Sequence, residues 1–101
     1  QPLFHRFYKA LLAMSTGNNR NIPYSIMKSA RVFLDLTQPD LARAAGVSVS
    51  TVISLEAGKP AYESTRAKII DALERRGIVF SDAAPGFTYN EATAIIPLSK
   101  T

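Results

Sequence analysis

Thr37-Gln38-Pro39-Asp40-Leu41-Ala42-Arg43-Ala44-Ala45-Gly46-Val47-Ser48-Val49-Ser50-Thr51-Val52-Ile53-Ser54-Leu55-Glu56-Ala57-Gly58-Lys59 is a stretch whose residues with strong local preferences all ask for one arrangement, two short helices separated by a tight turn. Thr37 is an N-cap whose hydroxyl can accept from the backbone amide three residues on, and Asp40 at that third position complements the positive end of the helix dipole. Pro39 falls in the first turn, where its missing N–H costs nothing. A helix over Gln38 to Ala45 is therefore expected, with Leu41, Ala42 and Ala45 facing inward and Gly46 stopping it by taking a left-handed conformation. Ser48 is a second N-cap, Val52 and Leu55 lie three apart on one face of the helix it opens, and Gly58 closes that helix.

Upstream, Tyr24 to Leu36 has helical periodicity, with Met27, Ala30 and Leu34 on one face and Lys28 and Arg31 beside it. Earlier still, Phe4, Phe7, Tyr8, Leu11 and Leu12 recur at helical spacing and predict an amphipathic helix from Pro2 to Met14, carrying His5, Arg6 and Lys9 on its other side. Downstream, a helix is expected from Glu63 to Arg76, with Ile69, Ile70 and Leu73 buried and Gly77 as terminator. Beyond it, Ile78-Val79-Phe80, Phe87-Thr88-Tyr89 and Ala94-Ile95-Ile96 read as short β segments, with Pro85-Gly86 as a turn. The organisation expected is an N-terminal helix and loop over 1–21, a helical domain over 22–77, and a β extension over 78–101 whose open edges can pair with a second chain. The fold class is mainly α, a bundle of four to five helices.

With 101 residues the chain has the length of one domain, and 47% hydrophobic against 20% charged residues is a globular balance. A net charge of +4 attracts polyanions. The chain has no cysteine, and His5 is its only histidine, so a zinc site is excluded. No nucleophile stands at a recognisable spacing from His5, and no phosphate-cradling or dinucleotide-binding glycine motif occurs, so neither an enzyme nor a bound cofactor is expected. No apolar run approaches the ~18 to 20 residues that span a bilayer, and the N-terminal segment lacks a signal-peptide pattern, so the expected setting is the cytoplasm, without membrane contact.

Two short helices joined by a glycine-containing turn form a helix-turn-helix unit, whose second helix can lie in the major groove of DNA. The unit needs a small side chain where the helices cross, here Ala42, and an apolar plug after the turn, here Val47. Read as TQxxLAxxAGVSxSTVxxLExGK, the stretch resembles the lambda-repressor-like family of helix-turn-helix regulators, the phage repressor, Cro and XRE type, and the resemblance extends over Tyr24 to Phe80. It implies a recognition helix from Ser48 to Glu56 in which Val49, Ser50, Ile53 and Ser54 face the bases. Ser50 and Ser54 can exchange hydrogen bonds with base edges, whereas Val49 and Ile53 offer only apolar contact. It further implies that Gln38 contacts backbone phosphate, with Ser48, Thr51, Lys59 and Arg43 as additional phosphate candidates. Arg31 and Glu56 match the family's pair that forms a partly buried salt bridge.

Such an implied regulator would be bacterial or phage-encoded, cytoplasmic and nucleoid-associated. It would bind double-stranded DNA as a homodimer on a near-palindrome, since one helix covers little DNA. The dimer contact is expected in the Ile78 to Ile96 segments, the N-terminal helix, or both. A rival reading keeps the fold and directs the exposed Val49 and Ile53 at a regulatory protein partner, as an antitoxin or anti-activator would. RNA binding is the weaker third reading, because no aromatic stacking platform is evident.

Overall fold

In a computed structural model, which describes residues 21–81 and 85–97, the chain runs through α1 (Tyr24–Phe33), α2 (Gln38–Ala45), α3 (Val49–Glu56), α4 (Glu63–Glu74), β1 (Ile78–Ser81), β2 (Gly86–Tyr89) and a 3-10 turn (Glu91–Thr93). The helix expected from Pro2 to Met14 lies outside the described residues. What is established is a mainly helical chain with a small antiparallel sheet near its C-terminal end.

The helix starts obey the local chemistry. Thr37 and Asp40 form a reciprocal capping box, the Asp40 amide donating to Thr37 Oγ1 at 3.1 Å and the Thr37 amide to Asp40 Oδ2 at 3.0 Å. Ser48 Oγ accepts from the Thr51 amide at 3.2 Å. The first three helix ends share one wrap, in which a left-handed residue turns the chain and the next amide reaches back to the helix. Those residues are Asp35, Gly46 and Gly58, and the returning bonds are Leu36 N to Arg31 O, Val47 N to Ala42 O and Lys59 N to Ser54 O. Asp35 in that role stops α1 at Phe33, ahead of the Leu36 expected from periodicity, and frees Thr37 to cap the next helix. Likewise α4 ends at Glu74, ahead of the expected Arg76.

The helices meet in a core of Ile22, Met27, Ala30, Leu34, Leu41, Ala42, Val52, Leu55, Ile69, Ile70, Ala72 and Leu73, against which Val47 packs. The inner face of β1 extends the same core through Ile78 and Phe80. β1 pairs with β2 in the register Ile78↔Tyr89, Val79↔Thr88, Phe80↔Phe87, Ser81↔Gly86. Phe33 joins this hairpin to α1, its ring 5.7 Å from that of Phe87 and 5.5 Å from that of Tyr89.

The third β segment, Ala94-Ile95-Ile96, is not a strand. The amides of Ile95 and Ile96 both donate to the Arg75 carbonyl, at 2.7 and 3.1 Å. The last carbonyls of a helix have no partner within it, and this one is satisfied by the returning chain instead of a sheet ladder.

Two glycine positions separate backbone strain from crowding. At Gly46, φ is +74° and a methyl group would meet nothing within 4 Å, whereas at Gly77, φ is +97° and a methyl would stand 2.7 Å from Tyr89 Cε1 and 3.0 Å from the Asn90 carbonyl oxygen. Gly46→Ala should cost about 1 kcal/mol, the left-handed penalty alone. Gly77→Ala should cost about 3 kcal/mol, because the overlap with the Tyr89 ring and the tight approach to the Asn90 carbonyl add to that penalty. Urea denaturation of the two variants measures the difference, and equal losses would show that crowding at Gly77 is absorbed.

Candidate nucleic-acid interface

α3 is laid on the core by Val52 and Leu55, both buried, which leaves its opposite side outward. Its one ionisable residue, Glu56, is turned inward. Glu56 Oε2 accepts from Arg31 Nε at 2.7 Å and Oε1 from the second guanidinium nitrogen at 3.0 Å, a two-pronged pair between side chains that are 4% and 11% exposed. The pairing implied by the family pattern for Arg31 and Glu56 is therefore present. Arg31 also donates to the Leu36 carbonyl at 2.7 Å, which anchors the turn between α1 and α2.

Gln38, at the start of α2, brings that helix into the same cluster by donating from Nε2 to Glu56 Oε1 at 3.0 Å. A carboxylate only accepts, so the NH2 end of the amide must face Glu56. That contact was not legible in the sequence, where residues 38 and 56 carry no spacing signal. One buried carboxylate thus gathers α1, α2 and the end of α3.

The outward surface of α3 carries Val49, Ser50 and Ile53 exposed and Ser54 half-buried. Val49 and Ile53 share one stripe, one turn apart, and Ser50 and Ser54 share the next. The hydroxyls at the helix start interact locally, Ser48 Oγ lying 2.8 Å from Thr51 Oγ1 and 3.1 Å from Ser50 Oγ. Arg43 is exposed and pairs with Asp40 on its own helix. Lys59 is exposed just past the end of α3.

Two residues not singled out from the sequence adjoin this surface. Tyr62 and Thr65, from the loop before α4 and its first turn, line a cleft of about 250 Å³ together with Ser50, Thr51 and Ser54. Tyr62 is 83% exposed. Pro60 in the sequence marks the loop, but nothing in the residue pattern brings Tyr62 beside α3.

Among the described residues, no group of three or more His, Cys, Asp or Glu side chains is placed to hold a metal ion, and no helix is long and apolar enough to cross a membrane. No protein-family model matches the chain, and no curated protein sequence matches it.

Breaking the Arg31–Glu56 pair from one side strands a buried charge, for which the cost is about 3 kcal/mol or more. Glu56→Ala should therefore lower the urea midpoint strongly, while the double substitution Arg31→Met with Glu56→Met should recover a large part of the loss. A double variant no more stable than Glu56→Ala would mean that the pair contributes directly and not through the unpaired charge.

Proposed function

We propose that this chain is a sequence-specific double-stranded DNA-binding regulator of transcription with a lambda-repressor-like helix-turn-helix, in which α3 enters the major groove. The observation that carries this reading is the surface of α3. A short capped helix held rigidly from behind presents small and branched side chains outward, and its only carboxylate is neutralised behind that surface by Arg31. A helix facing a polyanion at close range must not expose negative charge, and this one does not.

In this reading Val49, Ser50, Ile53 and Ser54 meet base edges, while phosphate contacts come from Gln38, Thr51, Lys59, Arg43 and the capped start of α3 at Ser48. The tie to Glu56 uses one N–H of the Gln38 amide and leaves the other for a phosphate oxygen. Tyr62 and Thr65 extend the contact beside Ser50 and Ser54. Two copies, with recognition helices about 34 Å apart, would read a near-palindrome. The regulator would act in the cytoplasm and needs no cofactor. Exposure of the apolar pair Val49 and Ile53 favours one other reading, docking of a regulatory protein on the same helix.

Titration of the full chain with a mixed-sequence duplex, followed by fluorescence anisotropy over a series of salt concentrations, tests the proposal. Binding should weaken steeply with salt, and Lys59→Ala should reduce the log–log slope by about one. Ser50→Glu with Ser54→Glu should abolish binding while leaving the melting temperature nearly unchanged. Salt-insensitive binding, or binding indifferent to both glutamates, would remove α3 from the interface.

A further inference from the structure

We infer that the duplex recognised by this chain is marked by thymine methyl groups, two in each half-site and about two base-pair steps apart, met by Val49 and Ile53. The inference rests on the DNA-binding reading and specifies its substrate. Val49 is 38% exposed and Ile53 48% exposed, although their neighbours Val52 and Leu55 on the same helix are buried. Neither side chain donates or accepts a hydrogen bond. The one apolar group that a base pair projects into the major groove is the C5-methyl of thymine, where cytosine carries only a hydrogen, and the other recognition groups there are donors or acceptors. Cytosine in the same place lacks that methyl, so the stripe selects thymine by the contact that cytosine cannot make.

The spacing follows from helix geometry. Four residues at about 1.5 Å rise separate the two side chains by roughly 6 Å along the axis. Successive base pairs are about 3.4 Å apart, so a helix that follows the groove brings the pair to bases about two steps apart. Ser50 and Ser54, on the adjacent stripe, keep the same stride and can supply the polar half of the readout. A protein partner fits the stripe less well. Two side chains bordered by serines fall far short of the ~800 Å² per side of a stable protein interface, and a chain of net charge +4 complements a polyanion.

The experiment selects bound duplexes from a random pool with the full chain, then resynthesises the enriched site with deoxyuridine replacing thymidine at each position in turn. That exchange deletes the methyl and keeps every hydrogen-bonding group. Two positions per half-site should each lose about four-fold in affinity, and about fifteen-fold together, as expected for burial of one methyl group each. Ile53→Ala should erase the sensitivity at one of them and Val49→Ala at the other, and both residues are exposed enough for the variants to fold. An enriched site indifferent to deoxyuridine overturns this inference and leaves the DNA-binding reading standing. Failure to enrich any duplex, with the chain shown folded by circular dichroism, overturns both and turns attention to a protein partner for α3.

Discussion

The ion pair between Arg31 and Glu56 is the constraint around which the described chain is organised. The two oxygens of Glu56, at the end of α3, accept from a guanidinium on α1 and an amide on α2, and the same guanidinium closes the turn between α1 and α2. Two charges removed from water are expensive unless their hydrogen bonds are met. Here they are met by groups on three helices, so the cost of leaving this geometry is concentrated at one point. The energetic worth of such a pair is modest against a hydrophobic alternative. Its structural effect is to tie α1, α2 and the end of α3 together at one carboxylate.

That tie matters because α3 is only eight residues long and would not persist alone in water. Its start is held by Ser48, its inner side by Val52 and Leu55 in the core, and its end by Glu56 and the Gly58 wrap. A helix restrained at both ends and along one side has its backbone ordered before any contact, which lowers the ordering cost of binding. The hairpin lies on the other side of this logic. Ile78 and Phe80 complete the core, and Phe33 packs between α1 and the aromatic side chains of β2.

Much of this was written in local residue chemistry. Thr37, Pro39, Asp40, Gly46 and Ser48 each favour one conformation strongly, and the boundaries of α2 and the start of α3 fall where those residues demand. The salt bridge of Arg31 with Glu56 was legible through a family pattern and not through spacing, since twenty-five positions separate them. Three features were hidden. The end of α1 is set by Asp35 in a left-handed conformation that an aspartate rarely adopts. The contact of Gln38 with Glu56 and the approach of Tyr62 to α3 arise from helix packing, which no sequence period encodes. Ala94-Ile95-Ile96 has the composition of a strand, yet a helix carbonyl in need of donors captured its backbone first.

That capture fastens Ile95 by backbone and not by side chain. Ile95 is 77% exposed and its amide donates to the Arg75 carbonyl, so at that position the anchorage asks little of the side chain but excludes proline, which carries no amide hydrogen. The outer chemistry at Ile95, whether greasy, charged or aromatic, can therefore be rewritten without loosening its fastening to α4, and it is a natural place to attach a reporter group.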